Sequence, residues 1–401
     1  MGSPASPSTP APTAPFPTTG EQSPLRSPLS ICRQVTTFFG TAVDSRQRDF
    51  YAISGDIMKV LITGAGAPMG QALIRAVLHS SLQTTIVAVD ADPWAAGLRW
   101  ADVADWVPGP DDDQFLRRFE ELLATEHPDA VFVGRGDELP ILARQRQRLE
   151  AIYDTRFLLS NEAVVETTHD RWKTHHFLVD HDIGHPRCCL AGDEDELLDE
   201  VGFPLVVKPR YGSHSQKMRR ANNLGQLRAA MLRRRHHELI VQEYVGDAPE
   251  EYAAGALVFG GQCRATLVMR RLVDGEVTRR ASVGEFPRLQ ATISSIAERL
   301  GPFGPVEIQF RLDDEGLKVF EINSRFSELT FLRSLAGFNE VEMTLAHLFR
   351  DHPVTQPTIT PMTILRHWSE TVVHHEDRDD YIPITDDNGT VRTPLAKLSL
   401  R

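Results

Sequence analysis

Cysteine is scarce in this chain. Cys32, Cys188, Cys189 and Cys263 are the whole complement of 401 residues, and no CxxC or Cys/His metal spacing occurs among them. No disulfide framework follows from them, so a reducing, cytoplasmic compartment is expected, with adjacent Cys188 and Cys189 read as packing residues. No apolar run approaches the roughly 18 residues of a membrane span, so no membrane partner is expected. Excess positive charge is missing too. The formal net charge of -12 argues against a general nucleic-acid binder. The local cluster Arg219, Arg220, Arg233, Arg234 and Arg235 fits a small anionic ligand or exposed helix faces equally well. No internal repeat is evident. What is present, 41% hydrophobic and 24% charged residues, is the composition of an ordinary globular protein of two or three domains.

Residues 1–30 hold eight prolines, six serines and four threonines against two charged residues. Such a stretch buries too little apolar surface to offset its ordering entropy. Residues 1–57 therefore read as a disordered extension without enzymatic function. A transit peptide, or translation starting at Met58, are the competing explanations. From Met58 to residue 165 short apolar strands alternate with helices: Lys59–Thr63, Thr84–Asp90, Ala130–Gly134 and Phe157–Ser160, with helices over Gln71–His79, Asp113–Thr125 and Glu138–Ile152. That alternation predicts an α/β fold with a doubly wound parallel sheet. Beyond it the spacing predicts a helix over Thr167–Asp182, strands over Phe203–Pro209 and Leu239–Val245, a helix over Leu224–Arg234, three antiparallel strands between Ala253 and Arg280, and helices over Ile293–Leu300 and 334–350. The C-terminal half is thus α+β. Residues 351–401 are Pro- and Thr-rich, with strand-like Met362–Leu365, and read as a segment covering the second domain.

Two strands near the end of that region carry chemistry. In Lys318–Arg325 apolar and polar residues alternate, so Glu321 and Asn323 share a face. Val306–Leu312 alternates likewise, with Glu307, Gln309 and Arg311 on one side. Asp313-Asp-Glu-Gly316 between them is turn chemistry, and a three-residue loop sets Gln309 opposite Glu321. Three oxygen-bearing side chains then converge on one surface, as a hard cation such as Mg²⁺ requires. A solvated hairpin face is the plainer alternative. A second signal is Gly64-x-Gly66-x-x-x-Gly70 between a strand and a helix, with Asp90 ending the next strand. Amides at a helix N-terminus bind anions, and an acid about 20 positions on can hold a ribose. The spacing departs from GxGxxG, and no Tyr-xxx-Lys pair follows. An NAD(P)-dependent oxidoreductase is therefore a rival reading, against a glycine turn that only lets strand and helix pack closely.

Four further segments occur in one order: Thr168-His-Asp-Arg171-Trp-Lys173; Phe203-Pro-Leu-Val-Val-Lys208-Pro with Tyr211-Gly212-Ser213-His-Ser215; Val241-Gln-Glu243-Tyr244-Val245 with Glu250-Glu251; and Gly304–Gln309 with Glu321-Ile-Asn323-Ser-Arg325. Together they resemble the ATP-grasp superfamily, most closely single-module relatives of the carbamoyl-phosphate synthase large subunit, over about residues 58–350. The resemblance implies a Rossmann-like domain at 58–165 followed by a two-lobed ATP-grasp domain at 166–350. It implies that Arg171 and Lys208 contact ATP phosphates and that Gly212 and Ser213 belong to a flap over them. The flap has fewer glycines than the family pattern, with Arg210, Lys217 and Arg219 around it. Glu243, Tyr244 and Val245 match the hinge that reads adenine, and Glu251, or Glu250 beside it, matches the ribose acceptor. Gln309, Glu321 and Asn323 match ligands of two Mg²⁺ ions (Mn²⁺ in their place), and Arg325 matches the arginine that stabilises the transferring phosphoryl group.

The activity so implied is ligation of a carboxylate and an amine through an acyl phosphate, with ADP and phosphate released. The implied partners are a small carboxylate and an amine, with a homodimer as the expected assembly. Arg270, Arg271, Arg279 and Arg288 lie where relatives bind the carboxylate. Glu328 stands where relatives often carry Gly or Arg, and an acid there would repel the phosphoryl group or hold an ammonium. Carbamoyl-phosphate synthesis itself resembles the work of two such modules fed by a glutaminase. A nucleotide-binding regulator without turnover is the other alternative.

Overall fold

In a computed structural model of the protein, the residues described are 57–212, 218–232, 238–246, 250–274, 277–284, 286–367, 369–373, 384–385 and 391–392. The expected extension at 1–57 therefore lies outside them, Ile57 excepted, as do Ser213, Lys217 and Arg233–Arg235 of the sequence-derived assignments.

The first half is α/β. Strands β1 (Met58–Ile62), β2 (Thr84–Asp90), β3 (Val103–Trp106), β4 (Ala130–Phe132) and β5 (Arg156–Phe157) form a parallel sheet in the order β3-β2-β1-β4-β5. Helices α1 (Pro68–Leu78), α2 (Phe115–Glu126) and α3 (Leu139–Tyr153) connect them. Strand side chains alternate between two cores. Val60, Ile62 and Ala88 pack with α1 on one face, while Leu61, Val87 and Val131 pack with α2 and α3 on the other. That two-sided burial is why these strands read as unbroken apolar runs. The sequence pattern does not mark β3, because Val103-Ala-Asp-Trp106 is only four residues long and mostly half-buried. The expected strand Phe157–Ser160 is a two-residue ladder at Arg156–Phe157.

The helix expected over Thr167–Asp182 is two helices, α4 (Glu162–His169) and α5 (Arg171–Asp180). Asp170 breaks them by capping α5, accepting from the Trp172 and Lys173 amides. Then follow β6 (Cys188–Leu190), α6 (Glu194–Val201), β7 (Leu205–Pro209), β8 (Arg219–Ala221), α7 (Leu224–Met231) and β9 (Leu239–Glu243). Their strands make a small antiparallel sheet, β6-β9-β7-β8. Leu205, Val207, Leu239 and Val241 pack on α6 and α7, so Val206, Lys208, Ile240 and Gln242 point to the other face.

The large antiparallel sheet holds β10 (Glu250–Phe259), β11 (Gln262–Asp274), β12 (Val277–Val283), β13 (Gly304–Asp313) and β14 (Gly316–Asn323), with α8 (Pro287–Leu300) against it. The helix expected over 334–350 is α9 (Thr330–Leu335) and α10 (Glu340–Phe349), parted at Gly337, whose φ is +93°. β15 (Met362–Leu365) pairs with β12 at the edge of this sheet. A two-residue pair, β16 (Ile384–Thr385) with β17 (Val391–Arg392), ends the described chain.

Candidate active site

The hairpin β13–β14 places Gln309 opposite Glu321 and Glu307 opposite Asn323. The expected pairing is reached by a different route. Asp313 pairs with Gly316, so the loop is two residues, and a bulge at Phe320 restores the register. The same bulge leaves Phe320 without a ladder partner, and its ring lies 5.2 Å from the Lys208 ammonium.

A cleft opens between this hairpin, helix α5 and the inner face of the small sheet. Arg171, Gly212, Gln242, Glu321, Asn323 and Arg325 are among its walls, and it encloses about 650 Å³ counted to its open mouth. Three segments far apart in sequence bring cations to it, Arg171 and Arg325 on its walls and Lys208 behind Gln242 and Phe320. Arg171 opens α5, and its position is set by a staple: Arg210 forks onto the Asp170 carboxylate at 2.8–3.1 Å while the Arg171 amide donates to the Arg210 carbonyl at 2.9 Å. Arg210 therefore fastens α5 to the end of β7. Arg171 donates to the Pro209 carbonyl at 2.9 Å and approaches Glu321 at 3.8 Å, and its Nε is buried with no hydrogen-bond partner. Lys208 donates to the Gln242 side-chain oxygen at 2.6 Å. Burial pushes the Lys208 pKa down to about 8, against the opposing pull of Glu321. Arg325 donates to Asn323 Oδ1 at 3.1 Å and to the Phe326 carbonyl at 3.0 Å.

The oxygen donors face these cations. Burial would raise the Glu321 carboxyl, yet Arg171, Lys208 and the Asn323 amide hold it below the ordinary carboxylate range. Gln309 Oε1 accepts from Arg271 at 2.8 Å, and its Nε2 donates to Glu307 at 2.9 Å. A cluster of cations with an unused buried donor fits a polyphosphate. Side-chain oxygens from Gln309, Glu321 and Asn323 fit a hard divalent cation, each with a guanidinium now against it.

Not every expected residue joins this cleft. Glu243, Tyr244, Val245 and Glu251 are absent from its described walls, and so are Lys208 and Gln309, which adjoin it through Gln242 and Phe320 and through Glu321 respectively. The Glu243 and Tyr244 amides donate to the Arg187 and Pro204 carbonyls, so those two N–H groups serve the fold. Arg311 bonds Tyr244 Oη at 3.3 Å and the Val245 carbonyl at 3.2 Å, and reaches Glu251 at 3.5 Å. Arg271, buried beneath, pairs with Glu251 at 2.6 Å. Lys173 pairs with Glu166 on the surface, and Arg279 with Asp274. Glu328 is matched by Arg366 at 3.3 Å, so it does not face the phosphoryl end as a bare acid.

Sequence reading missed Gln242, Phe320 and the imidazoles of His169, His175 and His185, all of which wall the cleft. Gln242 had a findable signal, since it shares the inward face of β9 with Ile240. Burial lowers the His169 pKa, helped by Arg171 and Arg325, and lowers that of His175 to about 4, helped by His185 and His176.

The glycine turn is arranged otherwise. Asp90 accepts from the Gly66 amide at 2.7 Å and the Asp92 amide at 2.8 Å. A Cβ on Gly70 would lie 1.9 Å from the Gly64 carbonyl oxygen, and one on Gly134 would lie 1.9 Å from that of Thr63. These glycines let β1, α1 and the β4 loop touch, and the acid that a ribose would need caps the turn itself.

Comparison with known proteins agrees on the fold. A family described as "ATP-grasp in the biosynthetic pathway with Ter operon" matches residues 235–370, and a "RimK-like ATP-grasp domain" matches residues 168–297. Over 240 residues the chain is 25% identical to the carbamoyl phosphate synthase large chain of Campylobacter jejuni, covering 55% of this chain and 22% of that one. Over 225 residues it is 23% identical to the multifunctional protein CAD of Squalus acanthias, covering 52% of this chain and 10% of that one. The chain thus spans about a fifth or less of the length of these curated relatives. Among solved structures, N5-carboxyaminoimidazole synthetase from Staphylococcus aureus, complexed with ADP, superposes with a TM-score of 0.62 at 14% identity, over 77% of this chain and 82% of that one. The biotin carboxylase domain of the Hydrogenobacter thermophilus 2-oxoglutarate carboxylase, in complex with ADP, gives 0.57 at 17% identity, over 73% and 69%. At such identities the likeness is one of fold. With two ATP-grasp families matched, homology to carbamoyl phosphate synthase large chains and this shared architecture, the chain is a relative within the ATP-grasp superfamily.

Proposed function

We propose that the protein is an ATP- and Mg²⁺-dependent ligase that joins a carboxylate to an amine. A carboxylate oxygen attacks the γ-phosphorus of ATP, the bond to the β-phosphate breaks, and ADP leaves. The amine nitrogen then attacks the acyl carbon of the acyl phosphate, and phosphate departs with the electrons of the C–O bond as the amine gives up a proton. No covalent enzyme intermediate is needed, so the work is positioning and electrostatics. Arg171 and Lys208 would hold the phosphates, with Gly212 and Ser213 above them, and Arg325 would meet the charge on the transferring group. Gln309, Glu321 and Asn323 would hold two Mg²⁺ or Mn²⁺ ions, which supply charge neutralisation. Phosphate oxygens would draw Arg171 and Arg325 off Glu321 and Asn323, releasing those oxygens for metal. Residues 58–165 and 166–350 are the proposed pre-ATP-grasp and ATP-grasp domains.

The observation that supports this most is the meeting of Arg171, Lys208 and Arg325 around Glu321, with Lys208 against Phe320 on the same hairpin. ADP release measured against a panel of carboxylates paired with amines tests it. Turnover with one pair, lost in Glu321→Ala, is the expected result. ATP bound tightly with no ADP from any pair would instead support a regulator.

A further inference from the structure

Glu307, Gln309 and Arg311 alternate along one face of β13. Across β10, Gly255 stands opposite Glu307 and Ala253 opposite Gln309. Those small residues leave space above the sheet. Arg333 of α9 fills the part over Gly255, where an added Cβ would come within 2.5 Å of both Arg333 Nε and Glu340 Oε1. Arg333 and Glu340 are wholly buried, each 0% exposed. The Arg333 guanidinium pairs with Glu340 at 3.0 Å and with Glu307 Oε1 at 3.4 Å, and donates to Ser327 Oγ at 2.9 Å. Removing one partner from such a buried set is costly, so Glu307 is held firmly in place.

The other Glu307 oxygen accepts from Gln309 Nε2 at 2.9 Å. A side-chain amide has a donor end and an acceptor end, and its neighbours decide which way it turns. A carboxylate only accepts, so Glu307 claims the NH₂ end and turns Oε1 away. Arg271 uses one lone pair of that oxygen at 2.8 Å, and a carbonyl oxygen has two.

We infer that Arg333 is a positioning residue of the candidate site: through Glu307 it fixes the orientation of the Gln309 amide, so that oxygen and not NH₂ is offered to a divalent cation. The inference rests on the proposed metal role of Gln309. Neither Arg333 nor Glu307 touches the ion in this account. They act as the outer partners of metal ligands do, whose loss weakens metal binding about 10–100-fold.

The test uses the full chain and the metal itself, with Mn²⁺ as the probe read by electron paramagnetic resonance in the presence of ADP. Metal-free ADP binding by calorimetry and thermal melting are measured alongside. Glu307→Gln can present its own NH₂ to Gln309 and removes the preference. It should weaken Mn²⁺ about 10-fold or more while metal-free ADP affinity stays put. The swap Glu307→Gln with Gln309→Glu reverses the donor and acceptor and again leaves oxygens outward, so it should bind Mn²⁺ far better than Glu307→Gln alone. Mn²⁺ affinity unchanged in Glu307→Gln while the melting temperature falls would make the network structural only and overturn the inference. Should Glu307→Gln fail to fold, the folded swap decides: parent-like Mn²⁺ binding supports the inference, and weak binding refutes it. Parent-like Mn²⁺ affinity in both Glu307→Gln and Gln309→Ala would instead show that Gln309 is no ligand, a failure of the underlying metal assignment.

Discussion

The glycine turn after β1 and the cleft beside β14 both read as anion sites, and they differ in how their polar groups are spent. At the turn, Asp90 is satisfied by the Gly66 and Asp92 amides, and the glycine backbones press against one another. In the cleft, Arg171 Nε is buried without a hydrogen-bond partner, and Lys208 has a neutral Gln242 oxygen as its hydrogen-bond acceptor. A motif announces backbone geometry. An unpartnered buried donor that borders a cleft offers a ligand a contact whose making recovers the cost of leaving it unmade; the Arg271 and Arg333 Nε atoms are unpartnered too, but neither residue lines the cleft.

The largest effect that sharpens this contrast comes from removing one cation and one acid. Lys208→Met should weaken ADP binding about 100-fold, since truncating one partner of a buried charge pair costs about 2–5 kcal/mol. Asp90→Asn should leave ADP affinity unchanged and lower stability by about 1–2 kcal/mol, the cost of an unsatisfied buried amide. Calorimetric titration with ADP checks both, and the reverse pattern would hand the nucleotide to the glycine turn. Glycines give the next contrast. Gly70→Ala drives a methyl against the Gly64 carbonyl, 1.9 Å away before relaxation. It should cost about 1–3 kcal/mol as overpacking does, read as a lowered melting temperature. At Gly212 φ is +94° and no atom lies within 4 Å of an added Cβ. Gly212→Ala should therefore cost only about 1 kcal/mol of backbone strain.

How much of this was visible beforehand follows from what a one-dimensional pattern encodes. Alternation with period two put Glu307, Gln309 and Arg311 on one side of their strand and Glu321 with Asn323 on one side of theirs, and the expected pairing of Gln309 with Glu321 is present. The bulge at Phe320 did not show, because inserting one residue changes no composition. The break at Asp170 escaped because a capping Asp inside an amphipathic run looks like a polar helix position. Arg333 was invisible as a site residue. Its partners Glu307 and Glu340 come from other elements, and the space it fills exists only because Gly255 on a third element has no side chain. Arg311 was placed on the correct face, but its grip on the Val245 carbonyl depends on where β9 ends. Pairings between segments are settled by packing, which an isolated sequence does not display.

The last contrast is a pair of opposite pH signatures. Glu138, behind the glycine turn, is buried with Thr63 as its hydrogen-bond partner, and burial pushes its carboxyl up to about 8 from 4.5. Between those values the folded chain keeps a proton that the unfolded chain has released. Stability is therefore lost as pH rises through that window, with a slope of at most about 1.4 kcal/mol per pH unit. Lys208 runs the other way. Its pKa falls to about 8 from 10.5, so between these values the unfolded chain holds a proton that the folded chain has given up, and stability is gained as pH rises. Thermal melts from acid to alkaline pH should lose the first slope in Glu138→Gln and the second in Lys208→Met. ADP affinity should weaken above about pH 8 in the parent, as Lys208 sheds the charge that a phosphate needs. It should not respond to Glu138→Gln, because that acid belongs to the region whose polar groups already answer one another.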